Sequence, residues 1–220
     1  MARRRAGSRP AAGRRGHAAP RKHVVRIIGG QWRGRRIPVL AHPQLRPTPD
    51  RVRETLFNWL GQDLSGWQCL DVFAGTGALG LEAASRGAAS VLLVEQDAAL
   101  CRQLQASVER LAASRVRVQH GNGLLVLAAQ PAASVDLVLL DPPFELAPLA
   151  MEALAVAAGV VRPGGFVYLE TATRWPEAEG AAGGLVLHRH ARAGAVHAYL
   201  LQKPAAVPAG GTGEGGLHNG

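Results

Sequence analysis

Acidic residues are absent from the first 49 positions, and lysine is nearly absent throughout, with Lys22 and Lys203 the only two. Cysteine is scarce as well. Cys69 and Cys101 lie far apart, and neither has a second Cys or His at ligand spacing, which argues against a zinc site and a disulfide framework. A reducing compartment, the cytoplasm, fits that usage, and no metal is expected. No apolar run approaches the roughly 20 residues that cross a bilayer. The Arg-rich start also lacks the apolar stretch of a secretory signal, so no membrane partner is expected. An acid-free, Arg- and Ala-rich start is equally the composition of an organellar transit peptide. No internal repeat is visible.

What is present is arginine, concentrated at one end. Thirteen of the 25 cations precede Asp50, and the remainder carries 12 cations against 16 acids, so the net charge of +9 belongs to the N-terminal quarter. Such asymmetry is the mark of a polyanion-binding arm. A solubilising tail, or the habit of a GC-rich genome, would give the first twenty residues the same composition. Residues 1–22 are Arg, Ala, Gly and Pro without apolar period and are expected to be a disordered arm. Residues 204–220 are expected to be a Gly-, Pro- and Ala-rich disordered tail. One domain is expected over 23–203, divided into a basic hairpin and helix at 23–62 and a core at 63–203.

Val24, Val25, Ile27 and Ile28 form a β-like run that meets Gly29-Gly30, a pair suited to a tight hairpin turn, with Trp32 to Leu40 returning. Thr48 before Pro49 reads as an N-cap followed by a first helical proline, with Val52, Leu56, Phe57 and Leu60 along one face and Gly61 ending the helix. From Cys69 onward, short apolar runs alternate with helical stretches. The runs are Cys69 to Phe73, Val91 to Val94, Val116 to Gln119, Val135 to Leu140 and Phe166 to Glu170. The helical stretches lie near 78–86, 97–111, 123–129 and 147–158. Strands that are apolar throughout and separated by helices predict a parallel sheet covered on both faces, an α/β fold. Leu185 to His190 and Ala195 to Gln202 flank Gly194 and predict an antiparallel hairpin at the sheet edge.

Leu70-Asp71-Val72-Phe73-Ala74-Gly75-Thr76-Gly77-Ala78-Leu79-Gly80 puts glycines where a strand turns into a helix, so that backbone amides can approach a ligand. Gly75, Gly77 and Gly80 satisfy the dinucleotide fingerprint, and Glu95 ends the next strand where an acid would hold ribose hydroxyls. The loop by itself fits NAD and S-adenosylmethionine (AdoMet) alike. Asp71 favours the second, because a carboxylate at the mouth of the loop suits an ammonium group and repels a pyrophosphate. Asn122, in His120-Gly121-Asn122-Gly123 after the third strand, has the chemistry to bond an adenine edge and equally that of a helix cap.

Asp141-Pro142-Pro143-Phe144 follows the fourth strand, at the carboxyl edge where open α/β sheets bind ligands. An exocyclic amino nitrogen is a poor nucleophile because its lone pair is delocalised into the ring. Two hydrogen-bond acceptors can draw that pair out of conjugation. Asp141 would supply a carboxylate oxygen and Pro142 its carbonyl, held by two successive fixed φ angles. Phe144 offers a face on which an extruded base can stack. A polyproline turn capped by Asp141 is the plainer alternative.

With these blocks placed, the sequence resembles the RsmD family of bacterial 16S ribosomal RNA guanine-N2 methyltransferases. The resemblance rests on Arg26-Ile27-Ile28-Gly29-Gly30-Gln31-Trp32-Arg33-Gly34-Arg35, on Leu45-Arg46-Pro47-Thr48, on Asp50 through Leu60, and on the glycine loop and the Asp141 to Phe144 box. It implies a Rossmann-like class I AdoMet-dependent methyltransferase fold: a mostly parallel seven-stranded sheet with a C-terminal antiparallel hairpin and a small N-terminal basic hairpin plus helix. It implies AdoMet lined by Asp71, Phe73, Gly75, Gly77, Glu95, Asn122 and Gly123, with the base held by Asp141 to Phe144. Substrate contacts are expected from Arg26, Trp32, Arg33, Arg35, Arg36 and Arg46, with the hairpin beside the carboxyl edge. Its partner would be 16S rRNA or a small-subunit particle, met by a monomer. Asn122 departs from the Asp that many methyltransferases carry there. Rival readings are a NAD-dependent oxidoreductase, a non-catalytic assembly factor on the same fold, and methylation of adenine N6 or of glutamine N5 in protein.

Overall fold

The computed structural model describes residues 23–40, 49–143, 147–175 and 182–205. Chain order is β1 (His23–Arg26), β2 (Arg36–Val39), α1 (Asp50–Leu60), β3 (Gln68–Asp71), α2 (Ala78–Ser85), β4 (Ser90–Glu95) and α3 (Ala98–Arg110). Then come β5 (Val116–His120), α4 (Gly123–Ala128), β6 (Val135–Leu140), α5 (Ala147–Val160), β7 (Val161–Thr171), β8 (Val186–Ala193) and β9 (Val196–Gln202). Seven strands form one sheet in the order β5-β4-β3-β6-β7-β9-β8, parallel except where β9 meets its two neighbours. The reversal of direction around β3 makes the ends of β3 and β6 the switch point, where such sheets bind ligands.

Burial alternates along the strands. Cys69, Leu137, Leu139 and Tyr168 face α1, α2 and α3 in one core, and Leu70, Val138, Leu140 and Leu169 face α4 and α5 in the other. Both sets are apolar, which is why the central strands read as unbroken hydrophobic runs. α2 is buried along its whole length, and its Ala-, Gly- and Ser-rich sequence lets it approach the sheet closely. The C-terminal hairpin forms as expected, but it is β9, the later strand, that joins β7, leaving β8 as the edge. Cys69 and Cys101 are buried free thiols. No helix among the described residues is long and apolar enough to cross a membrane.

β1 and β2 pair antiparallel, yet Gly29-Gly30 does not make the two-residue turn that its composition suggests. Nine residues, 27–35, connect the strands, and the glycines serve contact instead. A Cβ on Gly30 would stand 1.8 Å from the carbonyl oxygen of Ser85, and Gly30 has φ 71°. Around it the loop is pinned to the end of α2. Glu82 accepts from the amides of Ile28 (2.8 Å) and Gly29 (2.7 Å), and Gln31 N donates to Ser85 O at 2.7 Å. The Ser85 hydroxyl donates to Gly29 O at 2.6 Å and accepts from Trp32 N at 3.0 Å. α1 starts at Asp50 with Pro49 as its N-cap and no side-chain cap bond, while Thr48 lies outside the described residues.

Candidate active site

Four strands that converge on the carboxyl edge each end at a carboxylate: Asp71 ends β3, Glu95 ends β4, Asp141 follows β6 and Glu170 sits one residue from the end of β7. Leu140 pairs with Leu169, so Asp141 and Glu170 come level one step further on, and Asp71 is level with Leu139 and Tyr168, two steps below them. Asp71 is 1% exposed, one of its oxygens accepts from Gly80 N at 3.0 Å, and its Oδ1 is buried without a partner. Burial, followed by the charges of Asp141 and Glu95, raises its carboxyl to about 7 against the Gly80 hydrogen bond and a smaller pull from the Phe73 amide. Glu170 is also buried, and it accepts from the Tyr168 hydroxyl at 2.8 Å. Burial and then Asp141 raise the Glu170 carboxyl to about 8, with Tyr168 opposing.

The glycine amides of the loop, by contrast, are already committed. Gly75 N donates to Glu95 Oε2 at 2.8 Å, Gly77 N to Ala74 O at 2.6 Å, and Gly80 N to Asp71. Gly77, at φ 77°, is the N-cap of α2, and a Cβ on it would meet Leu104 at 2.6 Å. A pyrophosphate needs free amides and no acid. This edge offers instead a cluster of carboxylates with one buried oxygen unpartnered, which fits a ligand carrying positive charge.

Glu95 Oε1 accepts from Asp97 N at 2.8 Å, so each of its oxygens is held by one backbone donor and retains a further lone pair. Asn122 caps α4 by accepting from Leu125 N at 3.2 Å, the plainer of its two sequence readings. A Cβ on Gly123 would lie 2.2 Å from Val72 O, so that glycine lets α4 begin against the end of β3. Phe73 is half-buried in the loop. Pro142 is buried and Pro143 half-buried, both in trans peptides, whereas Phe144 lies outside the described residues.

The cationic residues divide. Arg26, Arg33, Arg35 and Arg36 are exposed, and Arg26 approaches Asp50 at 3.7 Å. Trp32 packs against the core, so it anchors the hairpin, and Arg46 lies outside the described residues. The hairpin's tip does not lie beside the carboxyl edge, as expected from sequence. α2 begins at that edge and runs back about 12 Å at 1.5 Å per residue, and the tip is pinned to its far end. Arg33 and Arg35 therefore sit toward the amino edge.

The Tyr168–Glu170 pair escaped the sequence reading. Its signal was nonetheless present, since Leu169-Glu170 repeats the apolar-to-acid strand ending of Leu70-Asp71, Val94-Glu95 and Leu140-Asp141.

A family model described as "Conserved hypothetical protein 95" matches residues 25–202. The chain belongs to this family, the RsmD family. Among RsmD-family relatives, it is 54% identical over 120 residues to the ribosomal RNA small subunit methyltransferase D of Escherichia coli K12, a stretch that spans 60% of that protein. To the protein of the same name from Haemophilus influenzae it is 43% identical over 155 residues, 68% of this chain and 80% of the relative. The solved structure of the protein yhhF from E. coli superimposes with a TM-score of 0.70 at 41% identity, covering 83% of this chain and 99% of that one. The fold is thus the Rossmann-like class I methyltransferase fold.

Proposed function

We propose that the protein transfers a methyl group from AdoMet to the exocyclic N2 amino group of a guanine in 16S ribosomal RNA. The observation that carries this reading is the acidic carboxyl edge, where Asp71, Glu95, Asp141 and Glu170 gather while the glycine-loop amides bond internally. The names of the E. coli and H. influenzae relatives support small-subunit rRNA as substrate.

AdoMet, when bound, supplies an activated sulfonium methyl. In this reading Asp71 would meet the ammonium of its methionine part, and Glu95 would accept from the ribose hydroxyls with its remaining lone pairs. Phe73, Gly75, Gly77, Asn122 and Gly123 line the pocket. Asp141 and the Pro142 carbonyl accept the two amino hydrogens of the base, aligning the nitrogen lone pair with the methyl, and Phe144 stacks on the ring. No covalent nucleophile or metal is needed, since the sulfonium is already activated, and catalysis is mainly alignment and electrostatics. The proton released leaves through Asp141 or to water.

Arg26, Arg33, Arg35, Arg36 and Arg46 contact RNA phosphates in this reading. The roughly 12 Å that α2 puts between the hairpin tip and the carboxyl edge suits an RNA that continues beyond the target nucleotide and not an isolated nucleotide. Incubation with labelled AdoMet and undermethylated 30S subunits, followed by mass spectrometry of nucleosides, tests all of this. N2-methylguanosine is the expected product. N6-methyladenosine would move the enzyme to the adenine class, and no incorporation would overturn the reading.

A further inference from the structure

His190 and His197 are diagonal neighbours on the β8–β9 hairpin, His190 lying across from Tyr199 and His197 across from Arg192, and their rings are joined. His190 Nε2 and His197 Nδ1 are 3.1 Å apart, and the rings are 4° from parallel with centroids separated by 5.3 Å. The N–H and lone pair of an imidazole lie in the ring plane, so rings both parallel and hydrogen-bonded through nitrogen sit edge to edge. The two form a single flat tile about as broad as a purine.

Tyr199 lies under the tile. Its ring is 4.5 Å from that of His190 at 17° and 6.2 Å from that of His197 at 14°. It is held there in turn, being 3% exposed, accepting from Trp175 N at 2.6 Å and meeting the Trp175 ring edge-on at 5.8 Å. His190 is exposed and His197 half-exposed above this support. Burial, and then the charges of His190, Arg192 and Arg174, push the His197 imidazolium down. That favours the neutral ring that an N–H···N bond requires.

The position is informative. His197 pairs with Thr171, the residue after Glu170, which is level with Asp141 on the neighbouring strand. The tile therefore lies at the same carboxyl edge as Asp141, with His197 two strand spacings or about 10 Å away and His190 one strand further out, on the sheet face that carries Leu140 and Leu169, so that a base on it would reach Asp141 around the strand ends.

We infer that the His190–His197 tile, backed by Tyr199, is a stacking ledge for an unpaired nucleobase of the RNA, next to the one presented to Asp141. Unstacked RNA bases are held on aromatic rings, histidine included, with arginines taking the adjacent backbone. Arg192, which pairs with His197, and Arg174 supply the flanking charge. The ledge rests on the proposed RNA substrate and adds to it the requirement that a neighbour of the target base be unpaired.

The test uses the full chain, a single-stranded RNA containing 2-aminopurine, and three double variants: His190→Ala/His197→Ala, His190→Gln/His197→Gln and His190→Phe/His197→Phe. The wild type should quench the fluorophore. The Ala and Gln pairs should lose the quenching and bind roughly tenfold more weakly, and the Phe pair should restore both. Melting temperature and S-adenosylhomocysteine affinity should stay unchanged, and if the Ala pair misfolds, the Gln and Phe pairs carry the comparison. No quenching by the wild type, or a Gln pair equal to the wild type, overturns the ledge, as does a folded Phe pair that fails to quench. Labelling of 30S subunits by the wild type separates the two ideas. A wild type that quenches without methylating retains the ledge and refutes the methyltransferase reading, and normal methylation by all three variants refutes the ledge alone.

Discussion

The proposed mechanism gives Asp141 the base and Asp71 the cofactor, and substitution should separate them. Asp141→Ala is expected to lower kcat by at least about 100-fold, the scale for losing one preorganised transition-state contact, while AdoMet affinity stays within about twofold. Calorimetric titration with S-adenosylhomocysteine and single-turnover methylation measure the two quantities. Normal turnover would remove Asp141 from the chemistry. Glu170 makes a different prediction, on stability. Its carboxyl and that of Asp71 are raised in the fold, to about 8 and about 7, both chiefly by burial. Raised acids bind more protons folded than unfolded, so their stabilisation is complete below the unfolded value near 4 and is lost as pH climbs through the folded values. The cofactor-free protein should therefore melt lower at pH 9 than at pH 6, by ~3 °C or more, and Glu170→Gln should flatten that slope. A melting temperature that rises over this range would contradict it. Three of the four clustered acids could be singled out from sequence because each follows an apolar run directly. Glu170 follows such a run too, but what joins it to the site is lying level with Asp141, and register between strands far apart in sequence leaves no local trace.

At the scale of elements, the strands and helices of the core were legible because each carries its own period, and the predicted ends differ from the observed ones by a few residues. The N-terminal connection was not legible. Gly29-Gly30 has the composition of a tight turn, but the glycines are required by a neighbour 55 positions on, the Ser85 carbonyl. Glu82 organises that contact. It is fully buried between Arg53 at 3.4 Å and Arg86 at 2.8 Å while accepting the amides of Ile28 and Gly29. Arg86 in turn bonds Gln62, so the ends of α1 and α2 and the hairpin share one ionic junction. Removing one member of a buried ionic cluster leaves the others uncompensated, at about 3–5 kcal/mol. Glu82→Gln should lower the melting temperature by about 10 °C and increase hydrogen exchange at Ile28 and Gly29 before it affects β3 or β6. Uniform loss of protection across the sheet would show that the hairpin is not a separable latch.

For the whole molecule, cofactor class and RNA grip can be read independently. AdoMet and S-adenosylhomocysteine should raise the melting temperature, because a ligand of the folded state stabilises it by mass action, and NAD should not. The reverse pattern would sink the methyltransferase reading. RNA grip depends on where charge is fixed. Each phosphate neutralised by a cation steepens the fall of log affinity with log salt by nearly one unit on duplexes and somewhat less on single strands. Arg33, Arg35 and Arg36 are exposed on a hairpin that Glu82 and Ser85 hold in place, so their geometry toward RNA is set before binding. Their replacement by Ala should weaken 30S binding and reduce the salt slope by about two units, while leaving S-adenosylhomocysteine affinity unchanged. The seven cations among residues 1–21 contribute only general attraction in this account, so deleting residues 1–20 should change affinity much less at physiological salt. The position of the hairpin tip adds a further condition. Because the tip is pinned at the amino edge, the three arginines should matter for a long or folded RNA and hardly at all for a short fragment carrying only the target loop. If the triple variant loses the short fragment as severely as the 30S particle, the hairpin acts at the target base itself. If the deletion abolishes methylation while the triple variant is normal, recognition belongs to the N-terminal arm, and the hairpin is a cover for α2.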